Sequence, residues 1–496
     1  LKRLVGRILD NAVATVPQRV AATLGAESVT FGETSRRANR MAQALHALGL
    51  RRGDRMMVWT DISLRNLDIY FAAMRLGAAY VPLNPVFSDD EAAAMADYTG
   101  PRLFVADGGH QERAAALARR LDIPLGVVEG KGTVPGADLL ALAAQAADGP
   151  LEDLVEEEDI EAIFLTSGST GKPKGVMVSH RATWNRMNTR GRNDLCGAAG
   201  EVSMFPMFHF AGWAMLLNSW VYRRPIHLVP GASAETILWN AEHWKAGVIY
   251  AIPAVWERIL ACRKAFDTSS LRFTLTGTSR VEPSLIERIR ARIPGTKFAV
   301  MYGSTEMGGA VALDDEDIAR KPYSIGLPHP TLEARIDDGE LCLRGDTMMS
   351  GYYDLPDQTA AVVQDGWYRS GDLAEQDEEG YISITGRRRE IIRSGGETIA
   401  PSEVEAALRD APGIADVAVV GMPDAAWGEV VCAVVVPQPG APPPSVEALR
   451  AHAGGRIAAF KHPRRIEIMP SLPRTPATGQ IQRGAVRDSI LEREKA

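Results

Sequence analysis

Apolar positions in the first 150 residues alternate between two spacings. In FGETSRRANRMAQALHALGL (31–50), Ala38, Met41, Ala42, Leu45 and Leu48 fall on one helical face, and Gly49 and Gly53 end the segment. RMMVWT (55–60) is an apolar run of strand length. LRNLDIYFAAMRLGAAYVPLNP (64–85) reads as a helix, a glycine stop, a short strand and a proline turn. Repetition of this unit predicts α/β layering with mostly parallel sheets. A second α/β stretch, about 160 to 310, holds the strand IEAIFL (160–165), the strand HLVP (227–230) and the helix SLIERIRARI (284–293). From about 320 to 385, Gly and Asp turns separate short strands, as in ARIDDGELCLRG (334–345) and AEQDEEGYISIT (374–385), and predict a small β subdomain. PSEVEAALRDAP (401–412) reads as a helix with proline and acids in its first turn. Strands DVAVVGMP (416–423) and VVCAVVVP (430–437) and the loop GAPPPS (440–445) follow. The expected fold is therefore α/β: an N-terminal domain, 1–388, of two layered α/β subdomains plus a small β subdomain, then a small α+β C-terminal domain, 389–496.

Composition narrows the class. At roughly 100–200 residues per domain, 496 residues predict three or four structural units and room for a cleft. Charged residues make up 24%, the net charge is −7, and no block of Lys and Arg stands out, so attraction to nucleic acid or an anionic membrane is not indicated. Cys196, Cys262, Cys342 and Cys432 are scattered, with no CxxC pair, which points to reduced thiols in a cytoplasmic protein. No apolar run approaches the roughly 20 residues of a membrane span. The opening LKRLVGRILDNAVATVPQRV reads as an amphipathic surface helix and not as a signal peptide.

The strongest chemical motif is LTSGSTGKPKGVMVSH (165–180), directly after an apolar strand. Gly168, Gly171 and Gly175 let backbone approach a ligand; Thr166, Ser167, Ser169 and Thr170 bring hydroxyls; Lys172 and Lys174 bring charge. Together they make a polyphosphate cradle. It is not a Walker A loop, because Pro173 follows Lys172 where Ser or Thr is required. A flexible Gly/Ser linker is the bland alternative, but linkers seldom follow a buried strand and carry two lysines.

TSGSTGKPKGV closely resembles the signature loop of the adenylate-forming (ANL) superfamily, which includes acyl-CoA synthetases, luciferases and peptide-synthetase adenylation domains. The resemblance covers nearly the whole chain. RLGAAYVPLNP (75–85), PMFHFAGW (206–213), YGSTEMGG (302–309), YRSGDLAEQDEEGY (368–381) and GRRREIIRSGGETIAPSEVE (386–405) follow in the family's order. It implies nucleotide contacts from Thr166, Ser167, Gly168, Ser169, Thr170, Gly171, Lys172, Gly277, Thr278, Tyr302, Gly303 and Ser304. Tyr302 would stack on adenine, Asp372 would accept from the ribose hydroxyls, and Arg387 would be a second ribose or phosphate contact. Thr305 and Glu306 match a TE pair in which Glu306 binds Mg²⁺ through a hard carboxylate oxygen. His209, Phe210, Trp213, Gly303, Met307 and Gly308 would line an acyl pocket for a hydrophobic carboxylic acid, and the glycines leave room for a bulky or ring-containing one. A lone His between aromatics is more often packing than chemistry. Gly395, Gly396, Trp427, Phe460, Lys461 and Arg464 would serve CoA, and Arg389 occupies the hinge about which a mobile C-terminal domain alternates.

The chain departs from the family at TGTSR (276–280), at Thr398 and Ala400, and above all at LPRTPATGQIQR (472–483), where Gln480 fills the slot of a catalytic lysine. Adenylation brings a carboxylate against the α-phosphate of ATP, and a lysine bridges the two anions. Gln donates hydrogen bonds but brings no charge. Loss of such a group costs about 10²–10³-fold in rate. Arg483 is too far along the loop to substitute. The expected activity is thioester formation from a preformed acyl-adenylate and CoA, with adenylation weak or absent and a separate enzyme supplying the adenylate. Two alternatives stay open: a complete ATP- and Mg²⁺-dependent acyl-CoA synthetase carrying an engineered Lys-to-Gln change, and a non-catalytic adenylate-binding protein. A peptide-synthetase domain fits less well, because His209 stands where amino-acid activators carry an Asp-containing motif. The chain is expected to be a monomer or homodimer.

Overall fold

The computed structural model describes every residue other than 1, 131, 150, 152–154, 167–173, 189–198, 396, 476–478 and 496. The helix read at 31–50 runs Phe31–Ala47, opened by a reciprocal capping box between Thr30 and Glu33, with Ala38, Met41, Ala42 and Leu45 buried. Arg65–Leu76 ends at Gly77, whose φ of 66° closes the helix before the strand Ala79–Pro82.

Two large mixed sheets form the body. One orders its strands Gly351–Tyr352, Lys174–Ser179, Ile160–Thr166, Ala79–Pro82, Arg55–Trp59, Leu103–Asp107, Leu125–Val128 and Ala137–Asp138. The other places Glu201–Ser203 between Ile226–Leu228 and Val248–Tyr250, with Phe273–Gly277 and Lys297–Ser304 beyond. The two sheets interleave in sequence. Val20–Leu24 runs parallel to Ile226–Leu228 in the second sheet, whereas Ile160–Thr166 returns to the first, Ala162 opposite Tyr80. One apolar core joins both sheets. Within it Tyr70 stacks on Trp213 at 3.7 Å and Phe71 on Trp220 at 5.1 Å.

The small β subdomain is antiparallel throughout, as its turn residues predict. Glu333–Asp337 and Glu340–Arg344 form a hairpin over Asp338 and Gly339, both at positive φ. Ile382–Arg387 closes this sheet, and Ile392–Ser394 opens the last one. There Ile414–Asp424 pairs antiparallel with Gly428–Pro437. Val417, Val419, Val431, Ala433 and Val435 face one core; Ala418, Val420, Cys432 and Val434 face another. Burial of both faces explains an unbroken apolar run in place of alternation. Among the described residues, Cys262, Cys342 and Cys432 are free thiols, and no helix is long and apolar enough to cross a membrane. Cys196 lies outside them.

Candidate functional site

Ile160–Thr166 and Lys174–Ser179 are antiparallel neighbours, with Thr166 opposite Lys174, so the glycine-rich loop joins two strands of a hairpin. Ser167, Gly168, Ser169, Thr170, Gly171 and Lys172 lie outside the described residues, as does Gly396. The loop's anchored end is Lys174, whose ammonium sits 4.6 Å from the centre of the Tyr352 ring.

Three expected nucleotide residues come together. The Tyr302 hydroxyl donates to Asp372 Oδ2 at 2.6 Å, and Arg387 Nε meets Asp372 Oδ1 at 2.9 Å. Asp372 is opposite Arg387 in the sheet and buried. Burial and the neighbouring Asp372 charge push the Tyr302 hydroxyl far above its ordinary range, so it remains a donor. The strand that ends at Ser304 turns through Thr305 and Glu306. There Tyr352 donates to Glu306 Oε1 at 2.9 Å, while the Glu306 carbonyl accepts from Met349 N–H at 2.7 Å and Arg186 Nη2 at 2.9 Å. Sequence reasoning missed Arg186 and Tyr352, because nothing local links them to Glu306.

The expected acyl wall is only partly accessible. His209 caps the helix Phe210–Val221, its Nδ1 accepting from Ala211 N–H at 3.2 Å, which leaves the imidazole proton on Nε2. Burial lowers its pKa to about 4, so the ring is neutral at pH 7. Phe210 covers the Arg186 guanidinium at 4.6 Å. Trp213 and Met307 are fully enclosed in the core. The glycines also serve another purpose than making room. A Cβ on Gly303 would lie 2.2 Å from the Gly308 carbonyl oxygen, and one on Gly308 would lie 2.9 Å from Arg186 Cδ. Both are required by a tight hairpin and by the passage of Arg186.

A cavity of about 460 Å³ opens elsewhere, at the carboxyl ends of strands from both sheets. Val58, Tyr80, Leu83, Met204, Met207 and Phe208 line it, with Asp61 among its polar groups. Ligands of α/β sheets favour such strand ends, and that rule is the signal that could have found it.

The Gln480 side chain is already engaged: its Nε2 donates to the carbonyl of Thr278. Thr278, in the departing TGTSR run, holds a left-handed φ of 69°, rare for a β-branched residue, and its hydroxyl is buried with no partner among the described residues. Gly277 precedes it, where a Cβ would lie 2.1 Å from the Met301 carbonyl oxygen. Arg483 is fixed elsewhere, bonded to Glu405 at 2.7 and 2.9 Å and to Glu390. A second bridge joins Arg409 of the helix Pro401–Leu408 end to Glu282 at 2.7 Å, and Arg280 also pairs with Glu282.

On the C-terminal face Trp427 lies against Gly395, where a Cβ would be 2.5 Å from the indole. The Arg464 guanidinium stacks on the Trp427 ring at 3.9 Å. Trp427 and Phe460 are partly exposed, and Lys461 pairs with Glu403.

Tyr302, Asp372 and Arg387 thus form one cluster, and Tyr352 joins the Glu306 carboxylate to Lys174 at the end of the glycine-rich loop. The AMP-binding enzyme family model matches residues 9–353, and the AMP-binding enzyme C-terminal domain model matches 403–478. The chain belongs to this family, in the acyl-CoA ligase branch of the adenylate-forming enzymes. It is 34% identical to a feruloyl-CoA synthase from Amycolatopsis sp, over 95% of this chain and 96% of that one. It is 32% identical to an indoleacetate–CoA ligase from Aromatoleum aromaticum, over 98% of each. Among solved structures, ATP-bound MatB from Rhodopseudomonas palustris superposes with a TM-score of 0.89 at 26% identity, covering 99% of both chains.

Proposed function

We propose that this acyl-CoA ligase forms an acyl-CoA thioester from an acyl-adenylate and CoA, and adenylates free acid slowly or not at all. The observation that carries this is the neutral Gln480 amide in the lysine slot, bonded to Thr278, while both arginines of 472–483 are engaged elsewhere, Arg483 with Glu405 and Glu390 and Arg474 with Asp416 and the Gly479 carbonyl. Adenylation needs positive charge between two anions. Thioesterification does not: the CoA sulfur attacks the acyl carbonyl, the carbon–sulfur bond forms, the bond to the phosphate oxygen breaks, AMP leaves and the thiol proton passes to solvent.

Tyr302, Asp372 and Arg387 would hold the nucleoside, with Gly277, Thr278, Gly303, Ser304 and the loop Thr166–Lys172 completing the nucleotide contacts. The donor set fits Mg²⁺: Glu306 is a hard carboxylate with Oε1 bonded to Tyr352, and no described residue meets its second oxygen. Mg²⁺ there would neutralise phosphate charge when ATP is bound. His209, neutral, would border the acyl group. Gly395, Trp427, Phe460, Lys461 and Arg464 would meet CoA; the indole–guanidinium stack and the exposed phenyl ring suit a flat base beside phosphates. We place the domain boundary at 388/389 with Arg389 at the hinge. The acid would be hydrophobic and ring-containing, a reading supported by the feruloyl and indoleacetate names of two relatives. The cytoplasm is the compartment this chemistry suits.

Replacing Gln480 with Lys tests the reading. Pyrophosphate release from ATP and acid should rise about 10²-fold or more in Gln480→Lys, with the rate from synthetic adenylate and CoA nearly unchanged. Fast adenylation by the unmodified chain would sink the proposal, and thioester from neither route would mark an adenylate-binding protein without catalysis.

A further inference from the structure

The turn that carries Glu306 is short, yet its carbonyl and carboxylate are both fixed from outside the hairpin. We propose that Arg186 and Tyr352 are positioning residues that set the direction of the Glu306 carboxylate toward a nucleotide-bound divalent cation. This inference rests on the reading of Glu306 as the metal carboxylate.

Arg186 reaches the turn from the helix His180–Asn188. Its Nη2 donates to the Glu306 carbonyl at 2.9 Å and its Nε to the Thr347 carbonyl at 2.7 Å. One rigid guanidinium therefore ties the turn to the segment whose Met349 N–H also donates to Glu306. The group is enclosed: Arg186 is 3% exposed, Phe210 lies over it, and Gly308 lacks the Cβ that would strike its Cγ and Cδ at 2.9 Å. Burying a guanidinium costs desolvation, and burial lowers its pKa to about 10. A chain that only needed to fill this volume could use Met or Leu at no such cost. Lys could not replace it, since a point ammonium has neither the fork to reach two carbonyls nor the plane to lie under a phenyl ring.

Tyr352 holds the other end. Its hydroxyl donates to Glu306 Oε1, its N–H bonds to Thr359 Oγ1 at 2.9 Å, and its strand pairs with the one that leaves the phosphate loop, Tyr352 opposite Val176. The carboxylate is thus registered against the strand that carries Lys174. Partners of a metal ligand orient it, and their loss typically lowers metal affinity by about 10–100-fold.

The test is Mn²⁺ binding, followed by electron paramagnetic resonance of the free ion, to the full chain with a non-hydrolysable ATP analogue. Arg186→Lys and Tyr352→Phe should each weaken Mn²⁺ binding about tenfold. Affinity for AMP without metal, and the melting temperature of Tyr352→Phe, should stay near those of the unmodified chain. Glu306→Gln separates the two layers of the argument. If Glu306→Gln abolishes Mn²⁺ binding and Tyr352→Phe leaves it intact, the positioning role is overturned while the metal role stands. If Glu306→Gln leaves Mn²⁺ binding unchanged, the metal role falls and the positioning role with it. Equal loss of AMP and Mn²⁺ binding in both positioning variants would show general damage to the site and overturn the proposal.

Discussion

His209 illustrates how one residue's surroundings choose among its roles. With Nδ1 accepting from a helix N-terminus and its pKa lowered to about 4 by burial, it stays neutral near pH 7, with its one proton on Nε2. A depressed folded pKa means the charged form appears only as pH falls through about 4, well below the ordinary 6.5. The rate of thioester formation is therefore expected to show no inflection from this group between pH 5.5 and 8. His209→Asn, whose side-chain oxygen can accept the same cap bond, should keep most stability and the same profile shape. An inflection near 6.5 that vanishes in His209→Asn would contradict this. At this scale the motifs single out Asp372 and Glu306, and the structure shows each carboxylate bonded to a tyrosine, Asp372 to Tyr302 and Glu306 to Tyr352. How deeply Trp213 and Met307 are enclosed was not legible, because a large apolar side chain beside a motif reads alike at a surface and in a core. Arg186 and Tyr352 were invisible for another reason: their bonds to Glu306 span 120 and 46 residues, and no local pattern encodes such pairings.

At the scale of elements, hydrophobic spacing predicted the helices well. The face Ala38–Leu45 and the capping box at Thr30 are local properties that the fold preserves. Which sheet a strand joins is not local, and so Val20–Leu24 and Ile160–Thr166 exchange the sheets their sequence order suggests. Gly303 and Gly308 in the hairpin of Lys297–Ser304 and Gly308–Leu313 are required by their close neighbours, a carbonyl and the Arg186 side chain. Gly303→Ala should therefore lower stability by about 1–3 kcal/mol or more, the usual range for overpacking, because the clash is with a carbonyl that cannot swing aside. Gly308→Ala meets a side chain and also a left-handed φ of 74°, which adds about 1–2 kcal/mol. Chemical denaturation of both variants checks this. Unchanged midpoints would mean the hairpin relaxes more freely than its packing implies.

For the whole molecule, the segment Thr278–Glu282 carries contacts from the C-terminal region at both ends: Gln480 to Thr278 and Arg409 to Glu282. Gly479 packs against the start of the helix Pro253–Ala261, 3.2 Å separating a Cβ there from Ile252. Exposed ion pairs contribute only about 0.2–1 kcal/mol, enough to shift a two-state domain equilibrium a few-fold. Arg409→Glu should open this arrangement, seen as faster protease cleavage near Arg389, and the added change Glu282→Arg should restore protection. No difference among the three proteins would remove the bridge from any part in domain placement.

The central claim concerns which half-reaction this chain performs. The most direct measurement is the single-turnover rate of acyl-CoA formation by the same protein from two starting points: a synthetic aryl acyl-adenylate with CoA, and the matching acid with ATP, Mg²⁺ and CoA. The account predicts that the adenylate route is faster by about 10²-fold or more, the cost of removing one transition-state charge. Equal rates from both starting points would contradict it, since the neutral amide of Gln480 would then have done the work assigned to a cation.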